Sequence, residues 1–283
     1  MSSLSVIVVT NGERLTYLNK CIDSLILQET NGDYEILIIY SGIIEDYKKK
    51  TDSKITYIYC PQENYCKKRN VGAKRASKTI LAYIDDDAIA NQYWVSSAIE
   101  YFNNNSVIFA GGRVYPNYET EIPKNILGYE KYIGGFNEDK KIKYSSENII
   151  GCNMFVRKEW LIKVGGFNEW IGELNTLKPR KLMGGDETDL LKKLEENKIG
   201  FIKDAIVTHA IQKSRISKEF IIKRSKAIGY GDVILKYKKN YKLYNLLINK
   251  IVIICRIFYL ILRNPISFKN HLAIYRLIGA FSA

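Results

Sequence analysis

The chain has 283 residues, enough for one large domain or for one domain with a sizeable appendage. A hydrophobic fraction of 46% beside 26% charged residues excludes an intrinsically disordered chain, because this composition supplies ample material for a core. The formal net charge of +13 indicates an anionic partner, which composition leaves open among nucleic acid, an acidic membrane and a phosphorylated small molecule.

Strand and helix patterns alternate through the first hundred residues. Apolar runs rich in β-branched residues predict buried strands at 4–10, 34–42, 54–60 and 79–87. Helical spacing of apolar residues predicts a helix at 14–28, and a strongly basic helix follows at 64–77. Continuous apolar strands separated by helices predict a mostly parallel sheet with helices on both faces, which is a Rossmann-like α/β fold.

Three aspartates follow the fourth predicted strand, in "LAYIDDDAIA". Asp85, Asp86 and Asp87 therefore lie at the carboxyl edge of the sheet, where open α/β sheets bind their ligands. Adjacent carboxylates repel one another, and Mg²⁺ or Mn²⁺, which favour carboxylate oxygens, would remove that repulsion. A turn-capping role is the structural alternative for one aspartate. Three in succession favour a metal and phosphate site.

The second half of the chain has a less regular pattern. The tyrosine-rich stretch 115–147 predicts a binding loop or lid, because it is long and weakly periodic. A strand at 148–158, a helix at 186–198 and a strand at 199–209 complete the predicted α/β part. From residue 215 the chain consists of basic and apolar helical runs.

Five blocks carry a resemblance: "SVIVVT", "NYCKKRNVGAKRASKTILAYIDDD", "GCNMFVRKEWLIKVGGFNE", "GGDETDLLKKLEENKIGFI" and "DAIVTH". In that order they resemble family 2 glycosyltransferases of the GT-A fold, over residues 4 to 210. The resemblance implies a catalytic domain at 1–214, with a nucleotide-binding half (1–114) and an acceptor-binding half (115–214). Residues 215–283 form the predicted basic, amphipathic helical extension.

The resemblance implies a metal-dependent enzyme that moves a sugar from a nucleotide-diphosphate-sugar, with inversion. The acceptor would be the hydroxyl of a saccharide or lipid-linked saccharide, in surface polysaccharide or glycan biosynthesis. The acidic triplet matches the DXD motif of these enzymes, which implies that Asp85 contacts the nucleotide-sugar and that Asp87 ligates Mn²⁺ or Mg²⁺. Asp86 has an assisting or a purely local role. His209, at the end of "DAIVTH", matches a histidine that completes the metal site in many relatives.

Three further residues are implied in nucleotide-sugar binding. Thr10, at the end of the first strand, matches a position that lines the nucleotide pocket. Arg69 matches a basic residue that approaches the nucleotide or its diphosphate, with a solvated helix face as its alternative. Ser41 stands, in "YSGI", where relatives have the acidic residues that read the base. That departure means that the identity of the nucleotide is not carried over.

The candidate catalytic base lies in "MGGDETDL". Sugar transfer requires a group that takes the proton of the attacking hydroxyl. The resemblance assigns this role to Glu187, and Asp186 is the alternative because the family's Glu-Asp order is reversed here. Acidic residues that only cap a helix start are the structural alternative.

The C-terminal extension predicts a membrane contact. Asn245, Asn249, Arg256 and Arg263 align as one narrow polar stripe on a helix, opposite a wide apolar face. Only short runs lack charge, so an interfacial helix on an acidic membrane fits better than a transmembrane span. Packing against the catalytic domain or a dimer partner is the alternative.

The location and two alternative functions also follow from the sequence. The five cysteines form no CxxC pair, and the N-terminus lacks a basic region followed by a cleavage site. We therefore expect a cytoplasmic protein, peripheral on the inner face of the membrane. A catalytically decayed family member and a nucleotidyltransferase are the alternatives. A nucleic-acid partner is not expected, because acidic residues cluster at two sheet-edge positions.

Overall fold

The computed structural model describes residues 2–42, 51–134, 149–176, 184–237, 253–254, 257 and 268–281. These residues form two compact units. The sheet unit comprises the described residues within 1–118, 135–172 and 186–211. The helical unit comprises those within 119–134, 173–185 and 212–283.

The first elements of the sheet unit follow the predicted alternation closely. They are β1 (Leu4–Thr10), α1 (Leu15–Ile26), β2 (Tyr34–Tyr40), β3 (Ile55–Tyr59), α2 (Tyr65–Arg75) and β4 (Ile80–Asp85). Helix α1 buries Leu18, Cys21, Ile22 and Leu25, which recur at helical spacing. Burying an aliphatic side chain of this size contributes about 1.5–3 kcal/mol. The apolar periodicity therefore accounts for both the helix and its packing.

The later elements depart further from the sequence expectations. They are β5 (Ala88–Ala90), α3 (Trp94–Asn104), β6 (Phe109–Tyr118), β7 (Asn153–Arg157), α5 (Lys158–Lys163), α6 (Glu169–Thr176), α7 (Asp186–Leu191) and β8 (Ile199–Ile211). β5, α3 and β6 were not predicted. The helix expected at 186–198 ends at Leu191, and a 3-10 turn follows at Glu196–Lys198. Of the predicted loop at 115–147, residues 135–147 lie outside the described residues.

All eight described strands form one mixed sheet, in the order β3-β2-β1-β4-β7-β6-β8-β5. The β1–β2, β1–β4, β2–β3 and β6–β8 pairs are parallel. The β4–β7, β6–β7 and β5–β8 pairs are antiparallel. The fold is therefore α/β with flanking helices, as predicted. Its parallel character is concentrated in the first half, because β7 enters between β4 and β6 in the opposite direction.

Asn153, at the start of β7, joins the two halves of the sheet. Its side chain is fully buried, accepts a hydrogen bond from Trp94 Nε1 at 2.9 Å, and donates to the carbonyl oxygens of Arg113 and Ala205. These bonds satisfy polar groups that would otherwise be buried without partners. The β6–β8 ladder shifts register between Gly112 and Arg113, next to this residue. The amide therefore stabilises an irregular point of the sheet.

The described part of the helical unit contains α4 (Glu130–Ile133), α8 (Lys218–Tyr237) and α9 (Phe268–Phe281). α8 and α9 pack closely: Ser225 Oγ donates to the Leu272 carbonyl oxygen at 2.7 Å. A Cβ atom at Gly229 would lie 1.7 Å from the Arg276 carbonyl oxygen, so only glycine permits this approach. Among the described residues, no helix has the length and apolar character needed to cross a bilayer. The four residues of the predicted polar stripe, Asn245, Asn249, Arg256 and Arg263, lie outside the described residues.

Candidate active site

The aspartate triplet forms the turn between β4 and β5. β4 ends at Asp85 and β5 begins at Ala88, so the triplet lies at the carboxyl end of a strand flanked by β1 and β7. Asp86 and Asp87 are buried, whereas the Asp85 side chain is about one third exposed. Two buried carboxylates at adjacent positions require compensating charge.

Strand register brings His209 to this turn. Ala88 pairs with His209 in the antiparallel β5–β8 ladder, and the Ala210 amide donates to the Asp87 carbonyl oxygen at 2.9 Å. His209 Nε2 lies 3.3 Å from Asp87 Oδ1. One potential ligand atom each from Asp85, Asp87 and His209 lies within 4.8 Å of the others. Two carboxylates and an imidazole are a donor set that suits Mn²⁺ and related cations, so these residues fit a divalent metal.

Asp86 has its hydrogen-bonding partners inside the protein. Its carboxylate accepts from Thr10 Oγ1 at 2.6 Å and from the Arg14 guanidinium. Burial raises the pKa of Asp86 to about 6, although Arg14 and the Thr10 hydroxyl oppose the shift. The middle aspartate therefore connects the end of β4 to the end of β1 and to the loop that follows it.

Arg14 is a site residue that the sequence analysis missed. It stands at the N-cap position of α1 and donates to Asp86 through one guanidinium nitrogen and to Asp87 through the other. Burial lowers the pKa of Arg14, but the three aspartates together raise it above its ordinary value, so the guanidinium remains charged. The only sequence signal was a basic residue at the start of the helix after β1.

A second acidic site lies at the start of α7. The Asp186 carboxylate accepts from the Arg69 guanidinium and from the Tyr65 hydroxyl, the latter at 3.2 Å. Burial, and then the charge of Asp186, raise the pKa of Glu187 well above the ordinary carboxyl range. Asp186 is thus held by partners, while Glu187 has the proton affinity that a general base near neutral pH requires.

Arg69 connects the two acidic sites. The residue is buried on α2, and its guanidinium contacts Asp186 with one nitrogen and approaches Asp85 Oδ1 at 3.4 Å with the other. The rings of Tyr65 and Phe167 flank it, at 5.2 Å and 5.5 Å from the guanidinium carbon. Burial lowers the pKa of Arg69, but the two aspartates raise it by more, so the charge is retained. The nitrogen that approaches Asp85 also approaches the Gly151 carbonyl oxygen at 3.4 Å, so the charged contacts of Arg69 among the described residues are with the two carboxylates.

The ends of β1 and β2 are joined by a buried lysine. Lys68 Nζ donates to the Thr10 carbonyl oxygen at 2.8 Å and to Ser41 Oγ at 2.7 Å. Thr10, Ser41 and Lys68 are all buried. Thr10 and Ser41, two of the residues predicted to bind the nucleotide, are thus held together at the same sheet edge as the triplet. Lys68 was noted in the sequence only as part of a basic helix.

Comparison with known proteins identifies the family. Residues 5–165 match the sequence profile described as "Glycosyl transferase family 2". The chain belongs to glycosyl transferase family 2. It is accordingly a glycosyltransferase, as the sequence predicted. The matched region contains all of β1 except Leu4, and it contains the triplet, Arg14 and Arg69, whereas His209 and the Asp186–Glu187 pair follow it.

Curated relatives of this family 2 enzyme include a glucosyl-dolichyl phosphate glucuronosyltransferase of Haloferax volcanii. The two are 24% identical over 241 residues, covering 81% of this chain and 75% of the relative. Chondroitin synthase of Pasteurella multocida is 26% identical over 216 residues, covering 60% of this chain. The match spans only 22% of that synthase's length.

Solved structures agree on the fold. A fragment of Staphylococcus aureus TarS (1–349), crystallised in complex with UDP, superposes with a TM-score of 0.53 and 15% identity. The superposition covers 82% of this chain and 65% of that fragment. This similarity confirms the predicted GT-A-like architecture of the family 2 enzyme.

Proposed function

We propose that the protein transfers a sugar from a nucleotide-diphosphate-sugar to a hydroxyl of a saccharide or lipid-linked saccharide, with metal dependence and inversion. The main support is that Arg69 connects the Asp85–Asp87–His209 cluster to the Asp186–Glu187 pair. The names of the relatives support a role in surface polysaccharide or glycan biosynthesis. We assign catalysis to residues 1–214 and acceptor contacts to 115–214.

The donor half of the mechanism uses the sheet edge. Asp85, Asp87 and His209 would hold Mn²⁺ or Mg²⁺, which supplies positive charge to stabilise the leaving diphosphate. Asp85 also faces the nucleotide-sugar, and Arg69 holds Asp85 near the second acidic site. Thr10, Ser41 and Asp86 line and orient the nucleotide side of this edge. The chain's own residues thus fix the position of the sugar's reacting carbon.

The acceptor half uses Glu187. Its carboxylate takes the proton of the acceptor hydroxyl as the oxygen attacks the anomeric carbon and the bond to the diphosphate breaks. A single base on the side opposite the leaving group gives inversion. Burial, and then the charge of Asp186, raise the pKa of Glu187, and Arg69 and Tyr65 hold Asp186 in place.

A thermal-shift panel tests the donor assignment. We expect one of UDP, GDP, dTDP and CMP to raise the melting temperature when Mn²⁺ is present, and much less without it. A ligand at 100 times its Kd stabilises the folded state by about 2.7 kcal/mol. Asp87→Asn should abolish the metal-dependent part of the shift, because it removes a charged ligand from the cluster.

The control for this panel is Asp33→Asn. It makes the same substitution at an exposed aspartate that is not part of the triplet. Its shift should equal that of the wild type. No shift with any nucleotide would contradict the proposal. Release of the nucleoside diphosphate from its sugar conjugate then separates an active enzyme from a catalytically decayed, binding-only member.

We further propose that the helical unit binds an acidic membrane surface, which would place the protein on the inner face of the membrane. Lys218, Lys223 and Lys226 on α8 are exposed, as are Lys269 and Arg276 on α9. Ile278 and Phe281 on α9 are exposed as well, each by 38%. Exposed basic side chains suit anionic headgroups, and exposed apolar side chains suit the boundary between headgroups and acyl chains.

Vesicle sedimentation checks this proposal. The protein should bind phosphatidylglycerol vesicles at low salt and bind neutral phosphatidylcholine vesicles weakly. Lys223→Glu with Lys226→Glu should weaken binding by at least about 30-fold, since the loss of each lysine alone removes about 1 kcal/mol and each glutamate adds repulsion. Lys192→Glu with Lys203→Glu, the same charge change at exposed positions of the sheet unit, is the control. Equal binding by both double variants would contradict a specific role for the helical unit.

A further inference from the structure

Arg14 carries an inference that rests on the proposed metal dependence and deepens it. Its guanidinium contacts Asp86 through one nitrogen and Asp87 through the other. Asp87 belongs to the candidate metal cluster. We propose that Arg14 is a positioning residue that holds Asp87 when no cation is bound and gives up that contact when the cation binds. The released nitrogen then donates to the anionic diphosphate of the donor.

The geometry at Asp87 sets up this competition. One carboxylate oxygen, Oδ1, lies 3.3 Å from His209 Nε2, and the other, Oδ2, accepts from Arg14. A divalent cation held by Asp85, Asp87 and His209 would place a second positive charge next to the guanidinium. Like charges repel, and they repel more strongly at a buried carboxylate than in water. Cation binding and the Arg14–Asp87 contact therefore oppose each other.

Arg14 has a second partner that allows the exchange. Asp86 Oδ1 accepts from the other guanidinium nitrogen, and the Thr10 hydroxyl holds Asp86 Oδ2 at 2.6 Å. The Arg14 side chain is 30% exposed, so it has room to turn on Asp86 while it leaves Asp87. Because the guanidinium stays charged and stays at the sheet edge, it becomes available to an anionic ligand there.

The flanking backbone supports a turn rather than a rigid helix at this point. Gly12 adopts a left-handed φ of +87° and its amide donates to Thr10 Oγ1 at 3.1 Å. Glycine is the residue that takes this conformation without steric cost. Arg14 itself is the N-cap residue and makes no side-chain cap bond to α1. Its side chain is therefore committed to the two aspartates rather than to the helix end.

A titration of the 283-residue protein with Mn²⁺ alone tests the competition. We expect Arg14→Gln to bind Mn²⁺ about tenfold more tightly than the wild type, because the internal cation is gone. Without Mn²⁺ the variant should melt at a lower temperature, and Mn²⁺ should raise its melting temperature by more than it raises that of the wild type. With saturating Mn²⁺, its affinity for the nucleoside diphosphate found in the panel should fall.

Arg157→Gln is the matched control. Arg157 donates to the carbonyl oxygens of Phe102, Asn105 and Val107 and contacts no residue of the cluster among its described bonds. This variant should lose stability without any change in Mn²⁺ affinity. Arg14→Lys keeps the positive charge but cannot contact both aspartates through two nitrogens, so its Mn²⁺ affinity should be intermediate. This variant also provides the test if the glutamine variant fails to fold.

The outcomes separate this inference from the proposed function. Mn²⁺ binding by the wild type with equal or weaker binding by Arg14→Gln and Arg14→Lys would overturn the competition alone. Unchanged nucleoside diphosphate affinity in the glutamine variant would overturn the second role of Arg14. Absence of Mn²⁺ binding in all three proteins would overturn both the competition and the metal dependence on which it rests.

Discussion

Glu187→Gln is expected to reduce the turnover rate by about 10²–10⁴-fold, the range for loss of a general base. The substitution keeps the shape of the side chain but removes its capacity to accept the acceptor's proton. Donor binding should change little, because the donor contacts lie at the triplet. The measurement is nucleotide release over a range of donor and acceptor concentrations, so that kcat and KM are determined separately.

The matched control is Glu195→Gln. It makes the same substitution at an exposed residue that, like Glu187, precedes β8 in the sequence. Its turnover rate should equal that of the wild type. If Asp186→Asn abolishes turnover while Glu187→Gln does not, the base is Asp186 and our assignment is wrong.

The pH profile separates the two carboxylates further. Burial, and then the charge of Asp186, raise the pKa of Glu187, and the base works only when it is deprotonated. Turnover in the wild type should therefore rise with pH up to that raised pKa. Asp186→Asn removes the neighbouring negative charge, which lowers the pKa of Glu187 and moves the acid limb to lower pH. An unmoved limb would contradict the coupling of these two residues.

Arg69→Met is expected to destabilise the protein by about 3–5 kcal/mol, the cost of removing one partner from a buried ion pair. The substitution keeps an aliphatic side chain at this position but removes the guanidinium that contacts Tyr65, Phe167 and the buried Asp186. Urea unfolding without nucleotide or metal measures the difference in the free energy of unfolding.

Two further variants show that the cost comes from the buried charge. Lys78→Met breaks the ion pair between Lys78 and Asp33. The Asp33 side chain is 69% exposed, and exposed ion pairs contribute only about 0–1 kcal/mol to stability. Combining Arg69→Met with Asp186→Asn removes both charges, so the double variant should be more stable than the sum of the single effects predicts. A loss for Arg69→Met no larger than for Lys78→Met would contradict the structural role of Arg69.

The first half of the fold could be predicted from the sequence because its strands are buried on both faces. Such strands appear as continuous apolar runs, and β1, β2 and β4 lie within the predicted segments. β5 is only three residues long, and β6 contains paired glycines and a proline, so neither has a strand-like pattern. The direction of β7 was also not predictable, because alternation of side chains is the same for parallel and antiparallel pairing.

The sequence by itself determined the family, the α/β class and the position of the triplet, since an aspartate run after a buried strand must lie at the sheet edge. Only the tertiary structure decided which basic side chains contact these acidic residues. Arg14 reaches Asp86 and Asp87 across more than 70 positions of the chain, and Arg69 reaches Asp186 across 117. Such partners are set by strand order and register, which depend on packing between distant segments and leave no local periodicity in the sequence.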